Sequence, residues 1–176
     1  MSGHNKWSQI KRQKAATDGK KSKAFAKFGR LIAIEAKKAQ GNVNAPSLKN
    51  AIDRAKAANM PNDTIDRAIK KATTDTSAEM ESITYEAYGP GGSALVIEAL
   101  TDNRNKAAQE VKFILSKYGF ALAGIGAASW AFKKTLEGWV PQTTMPLSDE
   151  DIKTLEQLID ELEENDEVQE VFTNAE

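Results

Sequence analysis

Between Thr73 and Ser82 the chain reads TTDTSAEMES, a small, polar run with neither a helical nor a strand period. Such a run has no face to bury, so it reads as a linker. The sign of the charge also changes there. Residues 1–72 hold 17 Lys+Arg against 5 Asp+Glu, a balance of +12, whereas residues 73–176 hold 7 against 20, a balance of −13. The sequence therefore predicts a basic domain over 1–73, a linker over 74–82 and an acidic domain over 83–176. A basic half of this kind meets phosphate or an acidic partner, unless the acidic half neutralises it within the molecule.

The 176 residues suffice for two small cores. Cysteine is absent and His4 is the single histidine. A disulfide framework, a thiol nucleophile, a zinc–thiolate site and a histidine-rich metal site are thereby excluded. The absence of cysteine fits a reducing cytosol. No apolar run approaches the roughly 20 residues of a bilayer span, and the start lacks the apolar segment of a secretory signal.

Three helical patterns fill the basic half. Phe25, Phe28, Ile32 and Ala36 recur at spacings of three and four from about Gly19 to Gln40, and Lys20, Lys23, Lys27, Arg30 and Lys37 fall on another face at the same period. This helix is apolar toward its neighbours and basic toward solvent. Gly41-Asn42 is its expected stop. Leu48, Ala51, Ile52, Ala55 and Ala58 make a second stripe, and Ile65, Ala68, Ile69 and Ala72 a third, separated by Pro61, with Asn62 or Asp63 as the expected cap. Together they predict a small three-helix bundle.

The acidic half alternates strands and helices. ITYEAYGPGGSALVIEAL predicts two strands around a Gly/Pro turn, and DNRNKAAQEVKFILSKYG a helix with Ala108, Val111, Ile114 and Leu115 inward. ASWAFKK alternates like a strand, and VPQTTMPL is a weak, Pro-flanked edge strand. Ser148 caps an acidic helix with the stripe Ile152, Leu155, Leu158, Ile159 and Leu162, and DEVQEVF closes as a strand. The expected fold class is α+β multidomain: a helical bundle followed by an α+β sandwich with a mixed or antiparallel sheet.

Chemistry narrows the function. YGPGGSA, Tyr88–Ala94, lacks the lysine and the following helix of a phosphate loop, so it is a hairpin-type turn. In LTDNRN, Asp102 or Asn103 caps a helix, and Arg104 stands at its start as an anion contact. No nucleophile, base and oxyanion donor can be assembled, so no catalytic residue, cofactor or metal is expected. What remains is the basic stretch. Lys6, Lys11, Arg12 and Lys14 lead into Lys20, Lys21, Lys23, Lys27 and Arg30, with Trp7 among them. Such residues neutralise phosphates and release counterions. Trp7 either folds the arm onto the bundle with Ile10 or offers its ring to an unpaired base.

GHNKWSQIKRQKAATDGKKSKAFAKFGRLI, AIDRAKAANMPNDTIDRAIKKAT, YEAYGPGGSALVIEALTDNRN and DEVQEVFTNAE, in this order, resemble the YebC/PmpR family. Its members are named as probable transcriptional regulators, and the mitochondrial branch as translational activators. The resemblance implies an N-terminal helical domain with α+β domains behind it, nucleic-acid association, no catalytic site and a cytoplasmic location. It places the family's basic surface on Lys6, Lys11, Arg12, Lys14 and the Lys20–Arg30 helix face. It also implies that longer members carry an extra α+β domain after the strand matching ASWAFKK, which this chain lacks near 134–140. The family's start matches at residue 3, which leaves no mitochondrial presequence. The leading expectation is a DNA-binding transcriptional regulator. The alternatives are a ribosome-associated translation factor binding ribosomal RNA, and a protein-interaction adaptor using the acidic helix 148–165.

Overall fold

The computed structural model describes Trp7, residues 18–75 and residues 79–176. The chain divides into two compact units, one of Ala15–Glu81 and one of Ser82–Glu176 that also takes in Trp7.

The first unit holds helices α1 (Asp18–Lys38), α2 (Pro46–Ala57) and α3 (Asn62–Thr74). Ile32 and Ala36 of α1, Leu48, Ala51 and Ala55 of α2, and Ile65 of α3 are buried together, with Phe25 and Phe28 packed against them. These are the residues that the three- and four-residue spacings put on one face. Small alanines let the axes approach closely, which a bundle of short helices needs. The helix ends are built from backbone. At the end of α1 the Gln40 N–H bonds the Lys37 carbonyl at 3.2 Å and the Gly41 N–H bonds the Ala36 carbonyl at 2.9 Å. This is a Schellman closure, and its left-handed position is Gln40 (φ 53°), one residue earlier than the predicted glycine. α2 closes the same way through Asn59 (φ 65°). Pro61 then occupies the N-cap of α3, so neither Asn62 nor Asp63 caps that helix as expected; Asn62 already lies inside it.

The second unit is built on a four-stranded antiparallel sheet of order β3-β1-β2-β6, from β1 (Glu81–Tyr88), β2 (Ala94–Thr101), β3 (Leu122–Ala123) and β6 (Val168–Thr173). The Gly/Pro run between β1 and β2 is the expected turn, with Pro90–Gly92 in a 3-10 conformation. β2 is buried on both faces, and its alternation decides what each face meets. Leu95 and Ile97 pack with α4 (Arg104–Lys117) and α5 (Asp149–Glu164) through Val111, Leu115, Leu155 and Leu158. Ala94 and Val96 point the other way, onto Ala131, Phe132 and Trp139. That second cover is a separate antiparallel hairpin, β4 (Phe132–Thr135) with β5 (Gly138–Pro141).

Three local expectations change. Ser129–Ala131 form a 3-10 turn, and the strand begins only at Phe132. The predicted edge strand stops at Pro141, and Met145 contributes an isolated bridge to Ala175. In α4 the fully buried alanine is Ala107, and Ala108 is half-buried.

Two polar devices hold the hairpin face. Glu98 of β2 accepts from the Trp139 indole N–H at 2.6 Å, the Thr84 hydroxyl at 3.0 Å and the Lys134 ammonium at 3.1 Å. Glu86 of β1 is buried and accepts three backbone N–H groups, from Gly126 at 2.7 Å, Ser129 at 2.6 Å and Ala128 at 3.0 Å. Burial alone pushes the Glu86 carboxyl up, but the three donors outweigh it and hold it below the usual carboxylate range. Its folded pKa is depressed, so its contribution is complete above the unfolded value of about 4.3 and is lost as the pH falls through the folded value.

At the hairpin turn, Gly138 has φ +121°, and a Cβ there would overlap the Phe172 ring. Gly138→Ala is expected to destabilise the second unit by about 1–3 kcal/mol through strain and overlap together. Urea unfolding checks it, and pairing with Phe172→Leu should give less than the summed loss. Glu86→Gln is expected to cost about 1.5–3 kcal/mol at neutral pH, because a charged acceptor of three N–H groups is replaced by a neutral one. Denaturation at pH 7 and pH 3 tests this: the gap between wild type and variant should shrink in acid, and a pH-independent gap contradicts it.

Candidate nucleic-acid interface

α1 carries the basic surface within the described residues. Lys21 and Lys23 are exposed, and Lys27 and Arg30 are half-buried. The burial of Ile32 and Ala36 fixes the rotation of the helix, and with it the direction of these cations. Lys6, Lys11, Arg12 and Lys14 lie outside the described residues, as does the side chain of Lys20. Not every cation of the bundle lies in the open: the Arg54 guanidinium stands 5.9 Å from the centre of the Phe28 ring.

The basic face is not flat. Ala26, Gly29 and Ala33 of α1 lie opposite Ala68 and Ala72 of α3, and side chains this small leave a groove of about 380 Å³ between the two helices. Arg30, Lys37 and Lys71 line it with one carboxylate, Asp75, and Ile34 and Met80 complete the lining. Lys37 also reaches Glu79 at 3.7 Å. Lys71 was not among the residues predicted to meet nucleic acid. α3 shows only its apolar stripe when read alone, and Lys71 gains meaning once α3 is packed beside α1. Lys71 and Ala72 sit three and four residues after Ala68, and that spacing is the one signal the sequence offered.

The remaining candidates are spread over the second unit. Trp7 is half-buried and packs against the cluster that contains Leu95, Leu115 and Leu158. Its indole thus adopts a third arrangement, neither on the helical bundle nor open to solvent on all sides. Arg104 is exposed at the first position of α4. Asn103 caps that helix, its side chain accepting the Lys106 N–H at 3.1 Å, and the Thr101 hydroxyl in turn accepts the Asn103 N–H at 2.9 Å. One turn on, Lys106 pairs with the buried carboxylate of Glu167 at 3.1 Å. That bond holds the ammonium above the ordinary lysine range. The start of α4 is thus fixed by its own caps and pairs.

Among the described residues no group of three or more His, Cys, Asp or Glu side chains could hold a metal ion. No helix among them is long and apolar enough to cross a membrane.

Comparison with known proteins fits this division. Residues 5–75 match a family model described as the TACO1/YebC protein N-terminal domain. Residues 80–137 and 136–175 match one described as the TACO1/YebC second and third domain. The two stretches meet at the β4–β5 turn. A probable transcriptional regulatory protein of Petrotoga mobilis is 44% identical over 179 positions, covering 100% of this chain and 71% of the relative. A protein of the same name from Fervidobacterium nodosum is 48% identical over 157 positions, covering 88% of this chain and 62% of that relative, so the chain spans under two thirds of that protein's length. In three dimensions the chain resembles a conserved hypothetical protein of Aquifex aeolicus, with a TM-score of 0.76, 28% identity and coverage of 90% of this chain and 91% of the other. With matches on both units and identities at this level, the chain belongs to the TACO1/YebC family.

Proposed function

We propose that this protein is a non-enzymatic, cytoplasmic regulatory protein that binds nucleic acid through its basic helical domain. The observation that carries the reading is α1: one face is locked into the bundle core, and Lys23, Lys27 and Arg30 lie away from it. Such a face neutralises phosphates and fixes the register of the protein on a polyanion. The names of the relatives, probable transcriptional regulatory proteins, support a regulatory role and point to DNA as the first target.

A second reading is a translation factor bound to ribosomal RNA. It is favoured by the composition of α1, which has lysines, a single arginine and neither Asn nor Gln. Bidentate base reading in the major groove relies on Arg, Asn and Gln. A lysine face reads charge and shape, which suits a folded RNA equally well.

The chain further fits a short member of the family. The two matches to the second-and-third-domain model abut at residues 136–137, and the β4–β5 turn closes tightly there through Gly138. We read the inserted domain of longer members as missing at that turn. The acidic unit, with the acidic first turn of α5 at Asp149, Glu150 and Asp151, would position the basic domain or meet a protein partner.

Replacing Lys20, Lys23 and Lys27 by Gln is expected to weaken binding by similar factors on unrelated sequences. Each lost contact should flatten the slope of log affinity against log salt by roughly 0.7–0.9. An unchanged slope would sink the phosphate reading. DNA and RNA targets separate in competition. A transcriptional regulator should prefer its promoter over random duplex by about a thousandfold or more at physiological salt. A ratio near one, with salt-resistant co-sedimentation on ribosomes, selects the translation reading.

A further inference from the structure

The groove between α1 and α3 is more than a fold in the basic surface. Its apolar lining is made of Ala26, Gly29, Ala33 and Ile34 of α1, Ala68 and Ala72 of α3, and Met80. Its cations, Arg30, Lys37 and Lys71, come from both helices. An apolar slot between phosphate-binding groups does not suit a duplex, whose bases are stacked inside. It suits a nucleotide whose base has left the stack, because the flat face of the base covers apolar surface while the flanking phosphates meet the cations. The volume of about 380 Å³ lies at the lower end of the range for small-ligand sites, roughly 300–1,000 Å³, which accommodates one nucleotide. Asp75, the carboxylate of the lining, is suited to accept a hydrogen bond from a base amino or imino group. Methionine is an adaptable apolar surface and packs against aromatic rings through its sulfur.

We infer that the α1–α3 groove takes one unpaired nucleotide of a single-stranded segment, its base on this apolar lining and its neighbouring phosphates on Arg30, Lys37 and Lys71. This rests on the nucleic-acid reading above and narrows it: the exposed lysines of α1 attract any polyanion, and the groove selects one with an unpaired base. The selection depends on the smallness of five residues, Ala26, Gly29, Ala33, Ala68 and Ala72, not on an aromatic platform. It is therefore sensitive to any side chain that fills the slot.

Gly29 offers the test, because a Cβ at that position meets nothing within 4 Å. Its φ is ordinary for a helix, and leucine is a better helix former than glycine. Gly29→Leu fills the groove and changes no charge. The full chain is titrated, by fluorescence anisotropy, with labelled oligouridine, oligothymidine and a duplex of equal phosphate number. The expected result is a loss of roughly tenfold on the single strands, equivalent to about 1.4 kcal/mol, with the duplex changed by less than about twofold. Equal losses for RNA and DNA strands assign the recognition to base and phosphate, whereas a loss confined to oligouridine adds the ribose hydroxyl. No loss on either strand, or the same loss on the duplex, overturns the groove while leaving the phosphate reading intact. Failure of the wild type to bind any of the three overturns the phosphate reading itself. Circular dichroism checks folding. If the variant is misfolded, photocrosslinking of 4-thiouridine-substituted strands to the wild type decides: adducts on the peptides carrying Gly29 or Met80 support the site, and adducts confined elsewhere overturn it.

Discussion

The rotational setting of α1 governs the rest of the first unit. Ile32 and Ala36 have no exposed surface, and each is surrounded by residues of α2 and α3. Turning the helix by a single position, about 100°, would expose both and bring Lys37 or, in the other sense, Glu35 into the place of Ala36. Burying one unpaired charge costs far more than the apolar contacts of a small bundle can offset. The core therefore does two things at once. It holds the bundle together, and it dictates which way Lys23, Lys27 and Arg30 point. The cationic face is a consequence of the packing and needs no separate device.

In the second unit the corresponding role falls to β2. Its alternate residues face two different covers, helices on one side and the β4–β5 hairpin on the other. Glu98 and Glu86 sit on the hairpin side, and both are charged groups satisfied by several donors. Their bonds tie segments distant in sequence to adjacent strands. Carboxylates held in this way are strong when their acceptor sites are filled, and each one here gathers three donors. The loop over residues 124–129 is thus held by the Glu86 carboxylate, by the Tyr88 hydroxyl on the Ala127 carbonyl and by burial of Ala128.

Much of the fold was legible because periodicity is a physical signal. The stripes Phe25–Ala36, Leu48–Ala55 and Ile152–Leu162 are all found packed inward. Boundaries were less legible, and for identifiable reasons. Gln40 and Asn59 adopt left-handed conformations that closing backbone bonds enforce, which the sequence pattern did not mark. Ser129 and Trp130 alternate in polarity like a strand, yet the Glu86 carboxylate draws the Ser129 N–H into a tight turn. The cationic face of α1 could be read from spacing alone. The groove could not, because it belongs to two helices separated by α2, and small side chains leave no mark on a hydrophobic pattern.

The β4–β5 turn has a consequence for the way the chain tolerates changes in length. Thr135 and Gly138 are partners in the hairpin register, and Trp139 and Lys134 are secured to the sheet through Glu98. The two ends of the turn are therefore held together by contacts that do not involve the turn itself. For a segment whose ends are already held, added length costs only closure entropy, which grows as a logarithm, about 0.6 kcal/mol for each doubling. Segments of very different size can then emerge from this one point without altering the sheet beneath. The hairpin behaves as a clasp, and a clasp of this kind lets a lineage exchange or discard whatever it holds while the two flanking halves keep a common core.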